Sequence, residues 1–189
     1  MLWTLRFQSV RDKPFRRHTT SLCLVGRNMV SIMNEALELE VGHKVLEVGA
    51  GSGWHAATVA EIVAPSDMAR EKWGHVYTVE IIRELADSAR TNLEKTGYGD
   101  RVTVINADGS EGYPPESPYD RVLVTAAAPD IPKHLTEQLR TGGILVIPVG
   151  GVYFYQTLIR VRKTDSRLSE EDLGGVAFVP LTGKYGQRR

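Results

Sequence analysis

The sequence predicts a single α/β domain built on a mostly parallel β-sheet, with an antiparallel pair of strands at its C-terminal edge. Two observations carry this prediction. Short apolar runs alternate along the chain with segments of helical spacing, which is typical of strands joined by helical crossovers. Apolar residues make up 42% of the 189 residues, a content that suits one packed core and excludes global disorder.

Five short apolar runs have the composition of buried parallel strands. The first run is followed by a glycine-rich turn, and an alanine-rich segment with helical spacing begins at Trp54. Pro65 and Gly97 follow two of the predicted helices, and both residue types are helix stops. The predicted strands are 44–48, 75–80, 101–105, 121–125 and 143–149, and the predicted helices are 29–39, 54–63, 81–95 and 131–139.

The pattern changes in the C-terminal part of the chain. Residues 153–161 and 176–181 are two strand-like runs with no helical segment between them, which predicts an antiparallel pair. The charged stretch 163–174 between the two runs is predicted to be a hairpin loop.

Composition excludes several classes of protein. No apolar run reaches the roughly 18–20 residues that cross a bilayer, so a membrane is not expected as a partner. Cys23 is the only cysteine, which excludes an internal disulfide and a thiolate-rich metal site. The five histidines show no metal-ligand spacing. We therefore expect a cytoplasmic protein without a bound metal.

The N-terminal residues 1–28 are predicted to form a basic arm ahead of one domain, residues 29–189. Between residues 6 and 17 there are five basic residues and one acidic residue, although the net charge of the whole chain is zero. Because a neutral chain has no general attraction for nucleic acid, nucleic acid is not the expected partner. The sequence predicts no oligomeric state.

A glycine-rich turn follows the first predicted strand, at the edge of the sheet where ligands bind in doubly wound folds. The turn spans 49–53 and lacks the third glycine of a dinucleotide loop, because Trp54 occupies that position. No phosphate-binding loop with its lysine is present in the sequence. Glu47 precedes the turn, and a carboxylate there favours a cationic ligand over a pyrophosphate. S-adenosylmethionine, with a sulfonium, an ammonium and no phosphate, fits these features.

The next two strand ends carry acidic residues that suit the rest of this cofactor. Glu80 ends the second predicted strand, where a carboxylate can accept hydrogen bonds from both hydroxyls of a ribose. Asp108 and Gly109 follow the third strand, where a carboxylate can accept a hydrogen bond from the exocyclic amine of adenine. The glycine turn and the three carboxylates together predict an S-adenosylmethionine site.

Six segments of the chain together form a recognisable pattern, namely 45–53, 77–80, 107–109, 118–129, 138–150 and 178–181. They resemble the protein-L-isoaspartate O-methyltransferase family, and the similarity is collinear over most of the chain. The Thr-Ala-Ala-Ala-Pro sequence at 125–129 and the Phe-Val-Pro-Leu sequence at 178–181 are particular to this family.

The resemblance implies a Rossmann-like class I methyltransferase with a seven-stranded sheet and with S-adenosylmethionine as the methyl donor. It implies methylation of the α-carboxylate of L-isoaspartyl residues in damaged peptides and proteins, which is the first step of their repair. Thr125 and Ala126 are placed at the acceptor pocket. The residues expected to bind the cofactor are Glu47, Gly49, Ala50, Gly51, Ser52, Gly53, Glu80, Ile81, Asp108, Gly109 and Thr125; those expected to line the acceptor pocket are Thr125, Ala126, Val179, Pro180 and Leu181.

The segment before the first helix departs from the family pattern. Val25 occupies the position of a serine that contributes to the acceptor site of the family. Thr20 and Ser21 supply hydroxyls a few residues earlier, and they are the catalytic candidates. Two alternatives therefore stay open, namely a related methyltransferase with another acceptor, such as RNA reached through the basic arm, and a non-catalytic cofactor-binding module.

Overall fold

The computed structural model describes residues 27–151 and 155–187, which form seven strands around which the helices pack. The strands make one sheet in the order β3-β2-β1-β4-β5-β6-β7. The fold class and the antiparallel C-terminal pair predicted from the sequence are confirmed. The elements are α1 (Arg27–Ala36), β1 (Lys44–Val48), α2 (Trp54–Val63), β2 (His75–Glu80), α3 (Arg83–Lys95), β3 (Val102–Asn106), β4 (Tyr119–Val124), α4 (Lys133–Glu137), β5 (Leu139–Val149), β6 (Gln156–Lys163) and β7 (Leu168–Val176), with single 3₁₀ turns at Arg70–Lys72, Gly109–Glu111 and Pro114–Glu116.

Parallel pairing brings the carboxyl ends of the first strands together. β1 lies between β2 and β4 and is parallel to both, so that Val48 is level with Val79 on one side and with Val124 on the other. β3 extends the parallel sheet beyond β2. The loops that follow β1, β2, β3 and β4 therefore meet at one edge of the sheet, and the candidate site lies at this edge.

Two apolar clusters fill the two faces of the sheet. On one face Val45 of β1 packs with residues of α1, α2 and α3, among them Met33, Ala56 and Leu93. On the other face Leu46 packs with a cluster that includes the α4 residue Leu135. Successive residues of a strand point to opposite faces, and the central strand is therefore apolar on both.

The C-terminal pair corrects one prediction from the sequence. β6 contains residues 156–161 of the predicted strand 153–161, but its antiparallel partner at the edge, β7, is the charged stretch that was predicted as a loop. β6 also runs antiparallel to β5. The predicted strand 176–181 was wrong except for its first residue. An edge strand does not have to carry apolar residues on either face. Charged residues on such a strand discourage pairing with another chain. Arg160 of β6 and Glu171 of β7 form an ion pair across the two strands.

Other element boundaries differ by a few residues. The predicted helix 131–139 is shorter in the structure, where α4 spans Lys133–Glu137. Pro132 is its N-cap residue, and β5 already begins at Leu139, four residues before the predicted start at 143. Tertiary pairing of Leu139 with Tyr119 of β4 determines this boundary.

Among the described residues, no helix has both the length and the apolar character needed to cross a bilayer. The cytoplasmic location expected above stays a prediction. Most of the predicted basic arm, with the catalytic candidates Thr20 and Ser21 and with Cys23, lies outside the described residues.

Candidate active site

A cavity of about 330 Å³ opens at the carboxyl ends of β1, β2 and β4. Its volume lies at the lower end of the range that holds small-molecule ligands. Most of the residues predicted for the cofactor and the acceptor meet here. The lining residues are Val30, Val48, Gly49, Ala50, Gly51, Ser52, Trp54, His55, Val79, Glu80, Ile81, Ile82, Leu85, Gly109, Thr125, Ala126, Val179, Pro180, Leu181 and Thr182.

The glycine turn after β1 forms one wall of the cavity. Gly51 has a φ of +53°, and a Cβ built on it meets nothing within 4 Å, so its face is open to a ligand. Gly49 has a φ of +100°, and a Cβ there would overlap the Thr125 hydroxyl. That hydroxyl donates to the Gly49 carbonyl oxygen at 2.8 Å, which ties the turn to the end of β4. Only glycine satisfies the backbone at these positions without strain.

Glu80 supplies a carboxylate to the cavity. It is the last residue of β2 and 7% exposed. Its Oε2 accepts a hydrogen bond from the backbone N–H of Gly51 at 3.0 Å, and its Oε1 accepts one from that of Ile82 at 3.1 Å. Each oxygen keeps a further lone pair, because a carboxylate offers about four acceptor sites. Glu80 thus fixes the glycine turn and retains the capacity to bind two ribose hydroxyls.

Glu47 lies below the cavity and does not line it. It is fully buried, and its Oε2 accepts a hydrogen bond from the Thr78 hydroxyl at 2.5 Å. Among the described residues, Oε1 of Glu47 has no hydrogen-bond partner. Burial raises the pKa of the Glu47 carboxyl to about 8, although the hydrogen bond from Thr78 opposes the rise. At neutral pH the group is therefore mostly protonated, and the attraction for a cation predicted for it is weak in this state.

The two residues of the turn after β3 have different roles: Gly109 lines the cavity, and Asp108 accepts hydrogen bonds from the backbone. Gly109 lines the cavity, and a Cβ there would overlap Val48. Asp108 accepts hydrogen bonds from the backbone N–H groups of Ser110 at 2.9 Å and of Lys184 at 2.8 Å. Burial tends to raise the pKa of Asp108, but these hydrogen bonds together lower it. The adenine contact of Asp108 stays a prediction, which would have to use a lone pair left over from these bonds.

The C-terminal segment completes the opposite wall. The backbone N–H of Ala127 donates to the Val179 carbonyl, and the N–H of Leu181 donates to the Ala127 carbonyl, both at 2.8 Å. Phe178 and Leu181 are buried, one in each apolar cluster, which explains why this apolar segment leaves the sheet and crosses to the end of β4. The five residues predicted for the acceptor pocket therefore line one wall together.

Eight of the lining residues were not among those predicted for the site: Val30, Val48, Trp54, His55, Val79, Ile82, Leu85 and Thr182. Trp54 and His55 are the first two residues of α2, directly after the glycine turn. The sequence could have indicated Trp54 and His55, because the start of a helix that follows a glycine turn faces the ligand-binding edge of the sheet. Gly53, which was predicted to touch the cofactor, caps α2 instead and packs against Leu93, outside the lining.

The sequence pattern of the protein-L-isoaspartate(D-aspartate) O-methyltransferase family matches residues 17–186. This chain belongs to that family. The match covers most of the chain and begins ahead of Thr20 and Ser21. The family and the enzyme class, predicted from the resemblance, are confirmed by the comparisons. S-adenosylmethionine as the cofactor, predicted from the glycine turn and the strand-end carboxylates as well as from the resemblance, is also confirmed.

Relatives agree with this assignment over most of the chain. A protein-L-isoaspartate O-methyltransferase from Hyperthermus butylicus is 56% identical over 161 residues, covering 85% of this chain and 67% of the relative. One from Korarchaeum cryptofilum is 56% identical over 160 residues, covering 84% and 72%. The chain thus spans about two thirds of the length of these relatives.

Solved structures show the same fold. A protein-L-isoaspartate O-methyltransferase superposes with a TM-score of 0.79 at 27% identity, covering 90% of this chain and 52% of that one. A structure from Plasmodium falciparum, described by the same family name and solved in complex with S-adenosyl-L-homocysteine, has a TM-score of 0.73 at 18% identity and covers 96% and 88%. The roles of individual residues in this chain stay predictions.

Proposed function

We propose that this chain transfers the methyl group of S-adenosylmethionine to the α-carboxylate of L-isoaspartyl residues in damaged peptides and proteins. The observation that carries the proposal is the meeting of two walls at one cavity. One wall is the glycine turn with Glu80, and the other is the end of β4 with the segment 179–182. A donor and an acceptor bound on these two walls lie next to each other.

The residues of the donor wall fit S-adenosylmethionine. The open face of Gly51 leaves room for a ligand against the backbone, and the remaining lone pairs of Glu80 suit a ribose. Ile81 and Ile82 follow Glu80 and are 41% and 44% exposed, which offers apolar contact to a flat base. Gly109 closes this end of the cavity. When bound, the cofactor supplies a methyl group on a positively charged sulfur.

The acceptor wall is small and apolar where the reaction takes place. Ala126 lines the cavity on the side opposite the glycine turn, and Pro180 and Leu181 line it on the same side as Ala126. Small side chains let a peptide backbone approach closely. A carboxylate is already a nucleophile, so the chain needs to orient it and exclude water, which is a proximity effect, and a general base is not required. Thr20 and Ser21 remain our candidates for contacts to this acceptor.

Methylation of a matched pair of peptides tests the proposal. The chain is incubated with radiolabelled S-adenosylmethionine and an isoaspartyl peptide or its normal aspartyl twin. We expect base-labile label on the isoaspartyl peptide alone, because carboxyl methyl esters hydrolyse readily in base. Equal labelling of both peptides, or labelling of neither, would contradict the proposed acceptor. Label transferred to RNA in parallel would instead favour the RNA alternative.

A further inference from the structure

Part of the acceptor wall lies on a C-terminal loop, residues 181–187, which we call the strap. The backbone N–H of Gln187 donates to the Leu181 carbonyl oxygen at 2.8 Å and closes the loop at its base. The side-chain amide of Gln187 donates to the carbonyl oxygens of Ala127 at 3.2 Å and of Gly150 at 2.6 Å. Leu181 is buried, and its N–H donates to Ala127. The base of the strap is therefore fixed at the end of β4.

The tip of the strap is held at a second point, by the turn after β3. Oδ2 of Asp108 accepts a hydrogen bond from the backbone N–H of Lys184 at 2.8 Å. The hydroxyl oxygen of Ser110 accepts one from the backbone N–H of Tyr185 at 3.0 Å. The Ser110 hydroxyl donates in turn to Oδ1 of Asp108 at 2.7 Å. The two side chains thus act together as acceptors for two consecutive N–H groups of the strap.

The junction between the strap and this turn is closely packed. Gly183 has a φ of +126°, and a Cβ built on it would overlap the Asp108 carboxylate. Ser110 is fully buried, so its hydroxyl is shielded from water. Because a buried polar group that loses its partner is costly, the hydrogen bond between Ser110 and Tyr185 strongly favours this one position of the tip.

The other contacts of the tip are weaker. Residues 182–185 are all exposed. Nζ of Lys184 lies 2.9 Å from Oε1 of Glu111, but an ion pair between two exposed side chains contributes little to stability. The ring of Tyr185 lies 4.2 Å from that of His134, measured between centroids, and Tyr185 is 37% exposed. Among the described side chains that hold the tip, Ser110 is the fully buried one.

We propose that Ser110 positions the acceptor wall: by holding the backbone of Tyr185, it keeps Thr182 at the cavity. This inference rests on the proposed function, since it concerns the wall assigned to the acceptor. Thr182 lines the cavity and lies between the base and the tip of the strap, so a released tip would let it move away. Neither Ser110 nor Tyr185 lines the cavity, and Ser110 therefore acts through the strap and not on a ligand.

The variant Ser110→Ala should affect the acceptor and spare the donor. We expect the KM for an isoaspartyl peptide to rise roughly threefold to tenfold, as for the loss of one hydrogen bond. The kcat and the dissociation constant of S-adenosylhomocysteine, measured by calorimetry, should stay within about twofold. Partial unfolding gives a different result, because it lowers the active fraction, and with it the kcat and the binding stoichiometry, but not the KM.

The matched control is Ser117→Ala. Ser117 follows Ser110 in the same connection between β3 and β4, and its hydroxyl donates to the Pro114 carbonyl oxygen at 2.9 Å, away from the strap. This control loses a hydroxyl hydrogen bond without touching the junction. It should therefore leave the KM, the kcat and the cofactor affinity unchanged.

A second pair of variants disturbs the junction from the side of the strap. Gly183→Ala places a methyl group against the Asp108 carboxylate. Gly174→Ala in β7 is its control, since Gly174 has a φ of +109° and open space around it. Both variants strain the backbone, but only the first displaces the tip. We expect Gly183→Ala to raise the KM for the peptide at least as much as Ser110→Ala does, and Gly174→Ala to leave it unchanged.

Several results would overturn the inference while methylation by the unmodified chain upholds the proposed function. One is an unchanged KM in Ser110→Ala, and another is an equal rise in Ser110→Ala and Ser117→Ala. Equal losses of peptide and cofactor affinity in Ser110→Ala would also overturn it, because they would indicate a general role in the site. If the unmodified chain labels no isoaspartyl peptide, the proposed function and the inference fall together.

Discussion

The ends of β1 and β2 each carry a buried glutamate, and the two differ in what they can do. Glu80 is the last residue of β2, holds two backbone N–H groups and lines the cavity. Glu47 is followed by one more residue of β1, Val48, and lies below the cavity with a pKa raised by burial. Two residues of depth in the parallel register separate a carboxylate that lines the cavity from a buried and mostly protonated one.

This difference shows why an acidic residue next to a glycine turn does not by itself identify a ligand. In the parallel register Glu47 is level with Thr78, two residues before Glu80. Its carboxyl is covered by the turn and by the neighbouring strand, and desolvation determines its charge. Three measurements test this difference between the ends of β1 and β2.

We expect the largest loss of cofactor binding from a substitution in the glycine turn, which lies between Glu47 and Glu80 in the sequence. We expect Gly51→Val to abolish binding of S-adenosylhomocysteine in calorimetry, because the side chain would occupy the ligand face and force a β-branched residue to a φ of +53°. Gly97→Val is the matched control, since Gly97 has a φ of +79°, open space around it and a position away from the cavity. Its strain should lower stability but spare binding. Retained binding in Gly51→Val would contradict the donor wall.

Replacing each glutamate by glutamine, one at a time, compares their contributions to cofactor binding directly. In Glu80→Gln an amide NH₂ would face a backbone N–H of the turn, and acceptor capacity for the ribose would fall. We expect affinity for S-adenosylhomocysteine to drop roughly tenfold to a hundredfold, as for a hydrogen bond to a charged group. Glu47→Gln should change it by no more than about twofold, because a protonated carboxyl and an amide differ little. A larger loss of affinity in Glu47→Gln than in Glu80→Gln would indicate that Glu47, and not Glu80, binds the cofactor.

The pKa of Glu47 also predicts how stability depends on pH. Folding raises this pKa from 4.5 to about 8, so between these values the folded chain binds more protons than the unfolded chain. The free energy of unfolding contributed by Glu47 is therefore complete below pH 4.5 and is lost as pH rises towards 8.

Urea unfolding at pH 6 and pH 8 measures this effect. We expect Glu47→Gln to gain stability over the unmodified chain by on the order of 1–2 kcal/mol on going from the lower to the higher pH. Glu61→Gln is unsuitable as a control because Glu61 pairs with buried Arg101. Asp165→Asn in the exposed hairpin between β6 and β7 is suitable, and it should show no such change. Parallel pH profiles for Glu47→Gln and the unmodified chain would mean that Glu47 is charged in the fold.

The parallel half of the molecule was predictable because its signals are local. The strand 44–48, the helix 54–63 and the strand 75–80 have the bounds predicted from apolar runs and helical spacing. The edge strand β7 was not predictable in this way. Its stability comes from hydrogen bonds to β6 and from cross-strand ion pairs such as that of Arg160 with Glu171, and neither leaves an apolar pattern in the sequence.

By itself the sequence determined the fold class, the family and the chemistry of the cofactor, since glycines, strand-end carboxylates and family segments are read position by position. Only the tertiary structure decided that Glu80 and not Glu47 reaches the cavity, and that Asp108 holds the segment around Lys184. These properties depend on depth, on register and on partners distant in sequence. Packing and desolvation fix both properties, and neither effect is encoded at a single position of the chain.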